Sequence, residues 1–212
     1  MNAFFKKGAV VLFQGDSITD AGRTLPEGHP LGEGYPRIIS QVYQTLFPQQ
    51  QVQFINRGVS GNRSQDLLAR YDRDFLAVNP DFVSILIGIN DVWRRFDDND
   101  PTSAAQYEEN CRTLFEKLHH DFPNTPIMVL EPFVLETLPD RALWQEDLDE
   151  KIVVLRRLAR KYADYYVPLD GILASLCCKK HLPKELSEDG VHPTSIGHAY
   201  LAEAYLKTLG IL

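Results

Sequence analysis

The chain has 212 residues, 44% hydrophobic and 24% charged, with 13 Gly and 13 Pro, which fits one soluble globular domain spanning 1–212 and excludes fibrous and disordered classes. Lys and Arg number 22 against 29 Asp and Glu, a formal net charge of -7, so the long-range field repels phosphate backbones and anionic lipid surfaces and argues against nucleic acid or membrane partners. No apolar run approaches a membrane span, residues 1–10 carry no signal-peptide core, and three cysteines, with Cys177 and Cys178 adjacent, make no disulfide framework; a cytoplasmic protein is expected.

In chain order, a short apolar run at 9–14 predicts the first strand, and Pro36 suits the first turn of a helix running to about 47. A strand follows at 51–56, and Ser64 is the expected N-cap of a helix ending near 78, just before Asn79-Pro80. Residues 82–87 read as a third strand, with Tyr107, Cys111, Leu114 and Leu118 at helical spacing after it. A fourth strand at 127–130 precedes a helix carrying Leu148, Ile152, Leu155 and Leu158, and a fifth at 165–168 precedes a final helix capped by Thr194 or Ser195 and ending before Gly210. Such alternation predicts an α/β domain with a parallel sheet covered by helices. The long irregular pieces are 16–34, 58–63, 88–103, 131–144 and 178–193, and four of the five follow a predicted strand. Ligands of open parallel sheets bind at the carboxyl ends of the strands, so the chemistry is expected in these loops.

The first strand runs into Gly15-Asp16-Ser17-Ile18-Thr19-Asp20, which exposes a serine just past a glycine turn. Ser17 reads either as a nucleophile or as a helix cap. A nucleophilic serine needs a general base, and that base needs a third group to orient it. Asp189-Gly190-Val191-His192-Pro193 supplies both, a carboxylate three residues before an imidazole, with Pro193 favouring extended backbone at His192. The middle loops offer donors for a developing oxyanion, the Gly58 N–H and the Asn90 side-chain amide. Each has an ordinary alternative: Gly58 as a turn residue, Asn90 or Asp91 as a cap. Asp16 is expected to hold the nucleophile turn and to border the substrate. Trp93 and Arg94 either line a substrate pocket or pack the loop against the sheet. His29, His119, His120, His181 and His198 are read as structural. Adjacent Cys177 and Cys178 near His181 match zinc-ligand spacing poorly, so no metal is expected.

Taken together, these four blocks resemble the SGNH hydrolases of the GDSL esterase group. Gly15-Asp16-Ser17 is similar to the nucleophile block, with Ile18 where Leu is usual. Gly58 is similar to the glycine block, Gly88-Ile89-Asn90-Asp91 to the asparagine block, with Ile89 where Thr is common, and Asp189-x-x-His192 to the last block. Within that group the stretches 15–20, 58–62 and 87–94 look most like intracellular acetylxylan esterases of Gram-positive bacteria. One departure is Glu188, where such an esterase carries Trp before its catalytic Asp.

The resemblance implies a flavodoxin-like three-layer α/β/α sandwich with a five-stranded parallel sheet, no metal or other cofactor, and a homo-oligomer. It implies Ser17, Asp189 and His192 as the catalytic residues, with the Ser17 and Gly58 N–H groups and the Asn90 amide forming the oxyanion hole. The expected substrate is a small acyl ester, foremost an acetylated oligosaccharide. Short-chain lysophospholipids and thioesters suit the same chemistry. An α/β-hydrolase is disfavoured because no Gly-x-Ser-x-Gly elbow is present. A flavodoxin-like module binding phosphate or nucleotide has no use for Asp189 and His192.

Overall fold

The structure, a computed structural model, describes residues 2–24, 28–178 and 180–212. Residues 25–27, in the first predicted loop, and 179, in the last, lie outside the described residues. Five strands, β1 (Val10–Gly15), β2 (Gln53–Asn56), β3 (Phe82–Leu86), β4 (Ile127–Leu130) and β5 (Tyr165–Val167), form one parallel sheet in the order β2-β1-β3-β4-β5. This is the flavodoxin-like order, and its switch point lies between β1 and β3, where connections leave in opposite directions and open a crevice. Alternate residues sort the core into two layers. Val11, Phe13, Met128 and Leu130 face one apolar cluster with Tyr35, Ile39, Leu201 and Tyr205, while Leu12, Val83, Ile127 and Val129 face another with Leu67, Phe75, Leu114 and Leu155. Helices α2 (Tyr35–Leu46) and α9 (Ser195–Thr208) therefore cover one face, and α3 (Ser64–Ala69) and α5 (Ala104–Asp121) the other, where α5 packs on α6 (Arg141–Tyr162). No described helix is long and apolar enough to cross a membrane.

Several local expectations change. The predicted 16–34 piece opens with α1 (Ser17–Asp20), and most of 88–103 is α4 (Ile89–Asp97), which enters the helix from Gly88 at φ 137, a backbone region open to glycine. Two further helices, α7 (Leu169–Cys177) and α8 (Pro183–Leu186), fill the stretch before α9. Ser64 is not an N-cap but the first residue of α3. Its N–H and hydroxyl both donate to the Asp91 carboxylate, at 2.9 and 2.6 Å, which ties the start of α3 to the first turn of α4. Thr194 does cap α9, its hydroxyl accepting from the Gly197 N–H at 3.2 Å.

Candidate active site

The two ends of the chain meet where β1 stops. Asp16 caps α1 by accepting the Ile18 N–H at 2.9 Å, which leaves Ser17 at the first helical position, half-buried at the cleft surface. At that position the Ser17 N–H has no acceptor within the helix. Ser17 Oγ lies 2.9 Å from His192 Nε2, and His192 Nδ1 lies 2.7 Å from Asp189 Oδ2. The other carboxylate oxygen of Asp189 accepts the Val191 and His192 N–H groups at 2.9 and 2.8 Å and the Ser187 hydroxyl at 3.2 Å. Partial burial pushes the Asp189 pKa up, but these hydrogen bonds outweigh it and hold the carboxyl well below the usual carboxylate range. The hydrogen bond to Asp189 in turn raises the His192 pKa above its ordinary value, against partial burial. The ring is thus fixed with Nδ1 toward a carboxylate and Nε2 toward a hydroxyl, the arrangement that lets an imidazole accept a serine proton.

The β2 and β3 loops close against this turn. Gly58 is buried against α1 so tightly that a Cβ would stand 2.4 Å from the Asp20 nitrogen, and the Val59 N–H donates to the Gly15 carbonyl at 3.1 Å. Gly58 is expected to offer its backbone N–H to an oxyanion. Instead that N–H donates to Asn56 Oδ1 at 2.8 Å, while Asn56 Nδ2 donates to the carbonyls of Thr19 and Leu31 at 2.6 and 2.9 Å. Serving an oxyanion therefore requires the Gly58 bond to be shared or exchanged. Asn90, in the first turn of α4, is buried and uses one amide hydrogen on the Asn62 carbonyl at 3.0 Å. Asp91 beside it is fully buried, and burial pushes its carboxyl up to about 6 despite the Ser64 hydrogen bonds.

Residues expected to border substrate divide. Trp93 lies 5.7 Å from the His192 ring, centroid to centroid, and 5.1 Å from Trp144. Arg94 pairs with Asp97 of its own helix and Asp98 just after it, at 2.6 and 3.1 Å, and its guanidinium lies 5.6 Å from the Trp93 ring centroid. Asp16 is 1% exposed and its Oδ2 has no hydrogen-bond partner among the described residues; burial pushes this carboxyl up to about 7. A buried carboxyl that serves the turn is not placed to meet a sugar hydroxyl. A pocket of about 360 Å³ is lined by Ser17 together with Ala21, Glu33, His192, Pro193, Ser195 and His198. His198 is structural as expected: its Nδ1 accepts the Tyr35 N–H at 3.2 Å, and burial lowers its pKa to about 4, so the ring is neutral. His181 engages Glu185 and the Tyr200 hydroxyl through its two ring nitrogens, at 3.0 and 2.8 Å.

Sequence reasoning missed two arginines that hold the site. Arg141 is buried, donates from Nε to the Asp189 carbonyl at 2.7 Å, and lies 3.8 Å over the face of Trp144. Arg70 links the β1 and β2 loops through its guanidinium. Neither sits in a motif, and a charged residue on or just after an amphipathic helix carries no local sign that it turns inward.

Comparisons with known proteins identify the family of the chain. Residues 13–200 match the GDSL-like Lipase/Acylhydrolase family. The acetylxylan esterase of Geobacillus stearothermophilus is 34% identical over 211 residues, covering 96% of this chain and 94% of that protein. Its crystal structure superimposes with a TM-score of 0.87 at 33% identity, over 97% of this chain and 95% of that one. Catalytic mutants of that enzyme have been solved with a serine, an aspartate or a histidine replaced by alanine. A GDSL-like lipase-type chain from Parabacteroides merdae superimposes at a TM-score of 0.93 with 31% identity over 100% of both chains. The chain therefore belongs to the GDSL-like lipase and acylhydrolase family of carboxylic ester hydrolases.

Proposed function

We propose that the protein is a serine esterase that removes short acyl groups, foremost acetyl, from soluble carbohydrate esters such as acetylated xylo-oligosaccharides. The observation that carries this reading is the Ser17–His192–Asp189 relay, with spacings of 2.9 and 2.7 Å, in a cleft where the His192 side chain is 45% exposed. Ser17 Oγ attacks the ester carbonyl, His192 takes its proton and passes it to the departing sugar hydroxyl, and Asp189 holds the tautomer and favours the charged ring. Water then repeats the sequence on the acyl-enzyme. The Ser17 N–H and the second Asn90 amide hydrogen stabilise the oxyanion, joined by the Gly58 N–H once it shares its bond to Asn56. Trp93 supplies an aromatic wall beside the base. Support for the acetyl-sugar substrate comes from the 34%-identical acetylxylan esterase. An open cleft and a net charge of -7 suit a neutral, soluble substrate.

The test is hydrolysis of nitrophenyl esters of increasing chain length beside acetylated xylo-oligosaccharides, with Ser17→Ala as the blank. Acetate is expected to be preferred. Preference for octanoate would move the reading to lipid or thioester substrates, and activity surviving in Ser17→Ala would remove the nucleophile assignment. On the family resemblance, we propose that the protein assembles into a homo-oligomer. A monomer mass by light scattering would refute it.

A further inference from the structure

We infer that Arg70, outside every recognised motif, is the positioning residue that sets the oxyanion donors relative to the nucleophile. The inference rests on the esterase reading above. Arg70 follows α3, and its side chain is 10% exposed beside an Asp74 side chain that is 2% exposed and pairs with it. The guanidinium spends its donors on three separate pieces of backbone and loop. Nη2 donates to the Gly15 carbonyl at 3.1 Å, two residues before Ser17. Nη1 donates to the Arg57 carbonyl at 2.7 Å as well as to Asp74. Nε donates to Asn62 Oδ1 at 2.7 Å, and the Asn62 carbonyl receives the Asn90 amide at 3.0 Å.

The Arg57 contact has a geometric consequence. Its carbonyl belongs to the same peptide plane as the Gly58 N–H, and in a trans peptide the two point in opposite directions. Fixing the carbonyl therefore aims the N–H. Gly15, likewise, lies one peptide before the Asp16–Ser17 link, and its carbonyl is shared by Arg70 and the Val59 N–H. One planar cation thus fixes the β1 end and the Gly58 peptide, and through Asn62 it fixes the Asn90 amide. A lysine at the same place has all its donors on one nitrogen and cannot reach the three acceptors that Nε, Nη1 and Nη2 reach separately in a rigid plane. Arg73 touches the same Asp74 from the solvent side, at 2.8 Å, and among the described residues makes no hydrogen bond to either loop, which makes it a matched control.

The experiment measures kcat and KM on nitrophenyl acetate for Arg70→Lys, Arg73→Lys and Asn90→Ala and for the Arg70→Lys/Asn90→Ala double variant. Rates are normalised to Ser17 titrated with a fluorophosphonate. Arg70→Lys is expected to lower kcat per titrated site by about 10–100-fold, the scale of a misplacement of about 1 Å, with KM within about twofold. Arg73→Lys is expected to be unchanged, and Arg70→Lys is expected to cost less in the Asn90→Ala background, because part of its effect passes through Asn90. Unchanged kcat per titrated site, a loss confined to the titre, or full multiplication with Asn90→Ala would each overturn the inference. Should Arg70→Lys not fold, Asn62→Ala removes only the Nε acceptor and is expected to lower kcat in the same direction by a smaller factor; no change there also overturns it. A wild-type protein that hydrolyses no ester and takes no label at Ser17 would instead overturn the esterase reading, and this inference with it.

Discussion

Replacing Asp189 with asparagine separates two contributions of that carboxylate. The charge contribution is a hydrogen bond to an ionisable ring, worth about 1.5–3 kcal/mol in a protected setting. The Asp189 and His192 side chains are 37% and 45% exposed, so solvent screening moves this toward the lower end, about tenfold in rate. The tautomer contribution is larger and follows from the contacts. Oδ1 accepts two backbone N–H groups at 2.8 and 2.9 Å, so in Asp189→Asn the amide oxygen must occupy that position. The NH2 group then faces His192 Nδ1, forces the ring proton onto Nε2 and removes the base from Ser17. In a serine protease that inversion lowers turnover by about 10⁴, and the same order is expected here for kcat on nitrophenyl acetate. The pH profile gives an independent check. Wild-type activity is expected to fall as pH drops through a His192 pKa raised above 6.5, whereas the residual limb of the variant moves to lower pH. Stability shifts with a definite sign: the depressed folded pKa of Asp189 contributes stability above its unfolded value of 3.8, lost as pH falls through the folded value. Turnover within about tenfold of wild type would refute the tautomer argument, because charge screening alone accounts for that much.

Asn90→Ala is expected to lower kcat by on the order of 10²–10³ with little change in folding, as for other oxyanion donors; unchanged turnover on a small acetate ester would remove the role. Asp16→Asn keeps an oxygen for the Ile18 N–H and removes a carboxylate that burial disfavours. Because the folded pKa is raised from 3.8 to about 7, the carboxylate costs roughly 4 kcal/mol or less above pH 7 and progressively less down to pH 4. The variant should therefore melt higher than wild type at pH 8 and equally at pH 4, as read by calorimetry, and a lower Tm at pH 8 would contradict the burial argument. Gly58→Ala places a Cβ 2.4 Å from the Asp20 nitrogen, against backbone that cannot swing aside. A loss of about 1–3 kcal/mol in denaturant unfolding is expected, together with reduced activity, and full stability would show that α1 yields.

Which parts of the site the sequence disclosed depends on how local the cause is. Asp189 and His192 are three residues apart in a turn stiffened by Pro193, so their pairing is written in one segment, and Ser17 follows a strand whose apolar run is unmistakable. The three inner strands, β1, β3 and β4, are legible for the same reason, being short, apolar and buried, while the edge strands β2 and β5 are only partly buried and show through their aromatic and β-branched residues. The bond that the Gly58 N–H makes to Asn56 Oδ1 is not evident in the motif although its cause is also local: an Asn two residues before it can accept that N–H in an Asx turn. Helix α4 escaped because Gly88 reads as a loop and charged residues dominate 94–98, while its inward residues, Ile89, Asn90, Asp91 and Val92, crowd into the first turn. Arg70 and Arg141 were illegible in principle, since their carbonyl acceptors lie 13, 55 and 48 residues away. The same distinction bears on Glu188, which stands exposed where the resemblance led to an aromatic expectation. The aromatic neighbour of His192 comes from α4 instead, as Trp93, and is braced from α6 by Trp144, with Arg141 lying over that second ring and holding the Asp189 carbonyl. Arg141 thus touches both these rings and the residue that orients His192, so, if Trp93 lines the substrate as proposed, changes at Trp93 or Trp144 are expected to reach kcat as well as KM.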